Sequence, residues 1–174
     1  MTTAAASIHA SAVRVGQLAV LIRGPSGSGK SRLAFDLILA GRSGQLPQAI
    51  LVGDDRVHLA TRGGEMWVSP APALAGLIEI RGLGIRSCDH VPEAKLGLVV
   101  DLMAEDAARL PNGESLFVHL NGIALPRIPV GRDFSPFPLV VAALTTTGTS
   151  CSGNLSDDCV GQIGNHISRT IATE

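Results

Sequence analysis

Residues 24–31 have the residue types and spacing of a phosphate-binding loop. Their sequence, Gly-Pro-Ser-Gly-Ser-Gly-Lys-Ser, fits the pattern G-x-x-x-x-G-K-[ST] at every fixed position. The glycines allow successive backbone N–H groups to point into one concave anion site. Lys30 offers a cation to the outer phosphates of a nucleotide, and the Ser31 hydroxyl is a ligand for Mg²⁺. We therefore predict that the nucleotide phosphates are bound by Gly24, Pro25, Ser26, Gly27, Ser28, Gly29, Lys30 and Ser31.

Two adjacent carboxylates follow the next apolar segment. Asp54 and Asp55 come shortly after the apolar residues 50–52, where phosphate-loop enzymes place a carboxylate near the metal and the nucleophile. One carboxylate can contact the metal shell while the other accepts the proton of an incoming hydroxyl. Aspartate is also common in solvated turns after strands. The phosphate-binding loop upstream is what favours a catalytic function for the pair.

Residues 79–85, Glu-Ile-Arg-Gly-Leu-Gly-Ile, form a second unusual segment. Glu79 lies in an otherwise apolar predicted strand, so we expect it to have a partner, either a metal ion or Arg81. Gly82 and Gly84 would let the backbone approach a ligand closely. Taken alone, this glycine spacing is explained as well by a tight turn.

The secondary structure predicted around these residues indicates an α/β fold. Apolar residues at 12–15 and 18–22 predict a hairpin whose second strand leads into the phosphate-binding loop. Residues 31–40 have helical spacing, and Gly41 marks the predicted end of that helix. Hairpins between strands argue against a purely parallel sheet. Further strands are predicted at 49–52, 56–60, 65–68, 77–80, 96–102 and 116–120, with a strand or a final helix at 139–144.

Composition excludes several classes of function. The 174 residues are 45% hydrophobic, which suits one domain with a buried core. A net charge of −1 and only 3% aromatic residues argue against a general nucleic-acid binder. No segment has the roughly 18–20 unbroken apolar residues of a membrane helix. The scattered residues Cys88, Cys151 and Cys159 lack metal-site spacing and are typical of reduced thiols in a cytoplasmic protein; a pairing of Cys151 with Cys159 is the less favoured alternative.

The phosphate-binding loop does not by itself identify the reaction. A GTPase would carry a guanine-reading Asn-Lys-x-Asp, and that tetrapeptide does not occur in the sequence. A mechanical ATPase usually needs a longer chain. These exclusions leave a small kinase or another enzyme of nucleotide-dependent phosphoryl transfer.

Four sequence features occur in the same order as in the HPr kinase/phosphorylase family, which the chain resembles. They are His9, the loop at 24–31, Leu-Val-Gly-Asp-Asp-Arg-Val at 51–57, and the segment at 79–85, which is far more specific than the loop. Members phosphorylate a serine of the phosphocarrier protein HPr, and many reverse the reaction by phosphorolysis. The resemblance implies a phosphate-loop kinase domain of the phosphoenolpyruvate-carboxykinase type with a mixed sheet. It also implies ATP and Mg²⁺ as cofactors, an HPr-type protein as substrate, and a homo-oligomer, which is a hexamer in the family.

The resemblance assigns roles to individual residues as well. It implies that the Asp54–Asp55 pair contains the carboxylate that takes the proton of the substrate serine. We favour Asp55, although the sequence does not separate the two. Arg109 resembles the family's later active-site arginine on a looser alignment, and a solvated arginine at a helix end explains it equally well. The catalytic residues implied are His9, Lys30, Asp54, Asp55 and Arg109, and the metal ligands implied are Ser31 and Glu79.

The chain departs from full-length members of the family in several places, and two of these departures bear on its domains and activity. Those members carry an additional N-terminal domain before the histidine, so we expect residues 1–145 to be a short-form catalytic domain and residues 146–174 a polar, mobile tail. The family's Pro-Gly-Arg-Asn segment, linked to dephosphorylation, is Val-Gly-Arg-Asp at 130–133. Kinase activity is therefore expected, and phosphorolysis stays open. A small-molecule kinase and a nucleotide-sensing module with little transfer activity are the alternatives.

Overall fold

Strands outnumber helices in residues 6–148, the part of the chain that the computed structural model describes. Neither α-helix in this part is long and apolar enough to cross a membrane. Most of the predicted polar tail, residues 149–174, lies outside the described residues. The strands are β1 (Ala6–Ile8), β2 (Ser11–Val15), β3 (Leu18–Arg23), β4 (Ala49–Gly53), β5 (Val57–Arg62), β6 (Glu65–Pro70), β7 (Leu77–Ile80), β8 (Gly84–Ser87), β9 (Ala94–Leu102), β10 (Phe117–Leu120) and β11 (Ile123–Val130), and the helices are α1 (Lys30–Arg42) and α2 (Pro136–Thr145).

Most of these strands form one mixed sheet. Its order is β1-β5-β6-β9-β3-β2-β4, with β11 beside β9 and β10 beside β11, while β7 and β8 form a separate hairpin. Strand β9 pairs in parallel with β3 and β11, and β2 pairs antiparallel with β3 and β4. The carboxyl ends of β3, β4, β9 and β11 therefore meet at one edge, where β2 begins. The predicted α/β class with a mixed sheet is confirmed.

The sheet has an apolar core on each face. Helices α1 and α2 cover one face, where Ile22, Leu33 and Leu37 are buried. The other face buries Leu21 and Met66 among other side chains. Strand β3 is buried on both faces, which is why its sequence is a continuous apolar run rather than an alternating one. This central strand carries the chain into the phosphate-binding loop from a rigid position.

The prediction that Gly41 ends the first helix is wrong by one residue. Helix α1 continues through Gly41 to Arg42, and the Ser43 N–H donates to Leu39 O at 2.9 Å. A Cβ atom at Gly41 would lie 2.5 Å from the backbone nitrogen of Ala49. This glycine is therefore needed because it lets the helix approach β4 closely, and not because it stops the helix.

The structure settles one open prediction and adds a strand that the sequence pattern does not indicate. Residues 139–144, which fit a strand or a helix, belong to α2, which carries proline in its first turn, where the missing N–H costs nothing. Strand β11 has no counterpart among the predicted strands. It contains Pro126 and Pro129, which interrupt an otherwise apolar run and disfavour a strand assignment. It nevertheless pairs in parallel with β9 over its last four residues.

Candidate active site

The phosphate-binding loop joins β3 to α1 at the carboxyl edge of the sheet. Gly24, Gly27 and Gly29 have φ values of 150°, 78° and 96°, in the region that favours glycine. A Cβ atom at Gly24 would lie 2.7 Å from Ser28 Oγ and 2.9 Å from Leu102 Cβ. Among residues 6–148, no side chain caps the first turn of α1. The N–H groups at this end of the helix therefore remain free to bind an anion.

Lys30 folds back over the loop that precedes it. Its side chain is buried, and Nζ donates to Gly24 O and Pro25 O at 3.0 Å each. Burial lowers the pKa of this amine, and the nearby charges of Asp54 and Asp55 offset only part of that effect. An ammonium group has three donors, so one donor remains for a phosphate oxygen. The loop itself thus holds the lysine in place.

Asp54 joins three elements at the centre of the site. It is 3% exposed, and its Oδ1 accepts hydrogen bonds from Ser11 Oγ at 2.5 Å and from Ser31 Oγ at 2.9 Å. Its Oδ2 accepts the Glu79 N–H at 3.1 Å. These donors come from β2, α1 and β7, so the buried carboxylate is fixed on both oxygens. Ser31 donates its proton to Asp54, which leaves the lone pairs of its oxygen for a cation.

Asp55 faces different surroundings from its neighbour. Its φ is 64°, a left-handed conformation that aspartate tolerates better than most residues, and the Arg56 N–H donates to Asp54 O at 2.8 Å across the turn. The Asp55 side chain is 64% exposed, and its Oδ1 lies 3.1 Å from Nε2 of His9, which is 45% exposed. The turn therefore separates a buried carboxylate from an accessible one that is paired with a histidine.

Sheet register brings His9 to this position. The residue lies in the bend between β1 and β2, and Ala12 of β2 is paired with Gly53 of β4. The start of β2 and the end of β4 therefore lie side by side. A Cβ atom at Gly53 would be 2.9 Å from Val57 Cγ1 and 3.0 Å from Pro70 Cα. Glycine is needed there for the chain to enter the turn beneath β6.

Glu79 reaches the site through its backbone. The sequence predicts a partner for its side chain, either a metal ion or Arg81, but the side chain is exposed, although β7 is otherwise apolar, so burial does not require one. No ion pair joins it to Arg81 in residues 6–148. The Glu79 N–H bond to Asp54 nevertheless places this residue beside the predicted Mg²⁺ ligand Ser31. Its role as a metal ligand stays a prediction.

The oxygen donors near the loop fit Mg²⁺ as a partner of a nucleotide. No group of three or more His, Cys, Asp and Glu residues able to hold a metal was found within the described part of the chain. Mg²⁺ usually takes only one or two protein ligands beside substrate phosphates and water. The Ser31 hydroxyl and the Glu79 carboxylate are hard oxygen donors of this kind. The residues present thus suit Mg²⁺ bound together with a nucleotide.

Arg109 is the one predicted site residue that the structure does not join to the others. It is exposed in a bend after β9, and it makes no hydrogen bond or ion pair with any residue in 6–148. It does not lie at a helix end, so the interpretation as a helix-end arginine is wrong. Its catalytic role stays a prediction.

Charged side chains that sequence reasoning missed lie beside this bend. We call Arg23, Asp101, Arg127 and Asp106 the arginine–aspartate network. Arg23 donates to both oxygens of Asp101 at 2.7 Å each, and Arg127 Nε donates to Asp101 Oδ2 at 2.5 Å. Arg127 also donates to Asp106 Oδ2 at 2.6 Å and Asp106 Oδ1 at 3.0 Å. The signal for it in the sequence is a charged residue near the carboxyl end of two apolar strands.

These contacts shift the pKa values of the carboxyl groups. Burial alone would raise the pKa of Asp101, but hydrogen bonds from Arg23 and Arg127 outweigh burial and hold it below its ordinary value. The hydrogen bond from Arg127 likewise lowers the pKa of Asp106. The pKa of Arg127 is raised, chiefly by its hydrogen bond to Asp106. Asp101, Asp106 and Arg127 are therefore all charged near neutral pH.

Comparison with known proteins places this site in a family. Residues 2–109, which include every predicted site residue, match the model described as HPr Serine kinase C-terminal domain. The HPr kinase/phosphorylase of Neisseria meningitidis serogroup C is 33% identical, over 77% of this chain and 45% of that protein. The enzyme of the same name from Streptococcus mutans is 31% identical, over 74% of this chain and 44% of that protein.

A solved structure supports the same assignment. The Hpr(Ser) kinase/phosphatase from Coxiella burnetii is 25% identical, with a TM-score of 0.62 over 78% of this chain and 91% of that chain. The chain spans less than half the length of the curated relatives it matches. The resemblance seen in the sequence is confirmed: the chain belongs to the HPr serine kinase C-terminal domain family.

Proposed function

We propose that this chain is an ATP-dependent serine kinase that phosphorylates HPr or a related phosphocarrier protein. The observation that carries the proposal is the meeting of the phosphate-binding loop with Asp54 and the His9–Asp55 pair at one sheet edge. The names of the relatives from Neisseria and Streptococcus, HPr kinase/phosphorylase, support this substrate. The match covers only part of those proteins, so substrate and activity are inferred from the site as well.

The residues of the loop bind and orient the nucleotide in this proposal. Residues 24–31 hold the phosphates of ATP through backbone N–H groups, and Lys30 balances the charge of the outer phosphates. Ser31 and Glu79 would hold Mg²⁺, which when bound neutralises charge on the transferring phosphate. Asp54 keeps the Ser31 hydroxyl turned toward itself, so the serine oxygen is presented in one orientation.

Asp55 is the proton acceptor in this proposal. Both oxygens of Asp54 already accept hydrogen bonds from protein donors, whereas Asp55 is exposed to an incoming serine hydroxyl. A proton on His9 Nε2 lets the imidazole donate to Asp55 Oδ1 and hold that carboxylate in place. Asp55 then takes the serine proton as the serine oxygen bonds to the γ-phosphorus of ATP and the bond from that phosphorus to the leaving ADP breaks, and it returns the proton if the reaction runs backward.

Phosphate transfer to a purified HPr-type protein tests the proposal directly. The chain is incubated with Mg²⁺, ATP and the phosphocarrier from the same organism, with a Ser→Ala acceptor as the control. Mass spectrometry should find a phosphoserine that is absent from the control, and adding inorganic phosphate then tests phosphorolysis. Binding of ATP without modification of any phosphocarrier would contradict the proposal and favour a small-molecule kinase or a nucleotide sensor.

The proposal also includes a homo-oligomer and a cytoplasmic location. The oligomer rests on the family resemblance alone, and the location rests on the scattered cysteines, which are typical of reduced thiols. Light scattering of the purified chain measures the first, with a hexamer as the expected mass. A monomer that transfers phosphate at full rate would show that assembly is not required.

A further inference from the structure

The arginine–aspartate network has no part in the chemistry proposed above. Its members are far apart in the sequence, yet Arg127 and Asp101 are only 13% and 15% exposed. Exposed ion pairs contribute little to the free energy of unfolding, but removing one partner of a largely buried ion pair lowers that free energy considerably. The arginine–aspartate network therefore ties β3, β9 and β11 to the residues that follow β9.

One guanidinium group holds both ends of the segment that carries Arg109. Arg127 Nη1 donates to Asp106 Oδ2 at 2.6 Å and to Ser115 O at 2.9 Å. The Ser115 N–H donates to Asn112 Oδ1, and the Ser115 hydroxyl donates to Asn112 O, both at 2.9 Å. Residues 106–115 are thus closed at their base, while Arg109 between them is exposed.

The other side of the same guanidinium is tied to the phosphate-binding loop. Arg127 Nε donates to Asp101, and Asp101 accepts two hydrogen bonds from Arg23, which directly precedes Gly24. Close packing links the two regions as well, because a Cβ atom at Gly24 would lie 2.9 Å from Leu102 Cβ. The chain enters the Arg109 segment just after Leu102.

We propose that Arg127 and Asp106 are positioning residues that fix Arg109 relative to the phosphate-binding loop. This inference rests on the proposed kinase function together with the family resemblance, which implies that Arg109 is an active-site cation for the charge that develops on the transferred phosphate. Arg127 and Asp106 act only through Arg109. Their loss therefore lowers kcat without changing the KM for ATP, since residues 24–31 bind the nucleotide.

Asp106→Asn is the sharpest variant, because the side chain is 49% exposed and its change carries little risk to folding. A loosened segment should lower kcat about 10-fold, since small misplacements of a catalytic group are costly. Glu105→Gln is the matched control: it removes a charge from the adjacent exposed residue, and kcat should not change. Arg127→Lys should behave like Asp106→Asn, because one ammonium cannot reproduce the planar fork.

A double-mutant cycle separates positioning from a general structural role. In an Arg109→Ala background, Asp106→Asn should cause no further loss of kcat, because the group that it positions is gone. Losses that multiply in the double variant would overturn the inference. So would an Asp106→Asn enzyme that is as fast as wild type.

Amide exchange makes the inference independent of the proposed function. Asp106→Asn should speed exchange within residues 106–115, and Glu105→Gln should leave it unchanged. If the wild-type chain transfers no phosphate, the proposed function fails while this arm still tests the fixing of the segment. Unchanged exchange in Asp106→Asn overturns the inference whatever the activity.

Discussion

The phosphate-binding loop and the segment at residues 106–115 are held in place by different kinds of contact. Glycine geometry and the bonds from Lys30 to two loop carbonyls hold the loop mainly from within, and more distant residues add the packing of Leu102 against Gly24 and the bond between Ser31 and Asp54. The segment is fixed by a guanidinium 12 residues beyond its end, at Ser115. The loop should therefore be sensitive mainly to substitutions within it, whereas the segment should be sensitive to a substitution at a residue far away in the sequence.

Replacing Lys30 should produce the largest loss within the loop. Lys30→Ala removes a preorganised cation that the loop carbonyls hold in place. We expect the rate of phosphate transfer to fall on the order of 10³-fold, measured as phosphoserine formed by mass spectrometry. The control is Arg32→Ala, which removes a cation on the same helix that is 87% exposed. If both variants kept the wild-type rate, the loop would not be the catalytic phosphate site.

Substitutions of the two adjacent aspartates should affect different properties of the protein. Asp55→Asn removes the accessible proton acceptor, so kcat should fall about 10²-fold while the affinity for ATP stays constant. Asp54→Asn places an amide against three donors inside the site, so the free energy of unfolding should fall by about 1–3 kcal/mol. Turnover assays, nucleotide titration and thermal melting measure these effects.

The opposite result would reassign the pair. If Asp54→Asn melted like the wild type but lost transfer, and Asp55→Asn transferred normally, Asp54 would be the base. The proposed division between a buried orienting carboxylate and an exposed base would then be wrong.

His9 should matter less than the carboxylate it contacts. His9→Ala removes the group 3.1 Å from Asp55 and leaves the base in place, so we expect kcat to fall about 10-fold. His119→Ala, an exposed histidine on β10, is the control and should transfer at the wild-type rate. Equal rates for the two variants in both directions would remove His9 from the mechanism.

The sequence predicts those parts of the site whose residues lie close together in the chain. The loop at 24–31 and the Asp54–Asp55 pair are recognisable because the chemistry depends on neighbours along the chain. The Ser11–Asp54 hydrogen bond joins residues 43 positions apart, and a serine within an apolar strand gives no warning of it. The hydrogen bonds from Arg127 to Asp101 and Asp106 likewise join residues 26 and 21 positions apart, so the charged residues are visible in the sequence but their pairing is not.

The fold shows the same division. The hairpins and α1 follow from periodicity and turn residues, and the class of the sheet follows from the hairpins. Strand β11 was missed because two prolines obscure its pattern, although pairing with β9 stabilises it. Gly41 is predicted to end the helix, but glycine is needed there because the helix packs closely against Ala49. Rules that consider only neighbouring residues do not include such a tertiary contact.

Acid should loosen the Arg109 segment only below about pH 4. The pKa values of Asp101 and Asp106 are lowered in the folded chain, so their contribution is complete above the ordinary aspartate pKa of about 3.9 and is lost as the pH falls further. Amide exchange within residues 106–115, corrected for its intrinsic pH dependence, should therefore be constant near neutral pH and rise only below about pH 4. Amides of β3 report global unfolding and should stay protected to lower pH.

Asp106→Asn should exchange faster already at neutral pH and show a smaller acid transition, whereas Glu105→Gln should follow the wild-type curve. If the segment and β3 lost protection together, the network would act on the whole domain, and the contrast between a locally held loop and a remotely held segment would not stand.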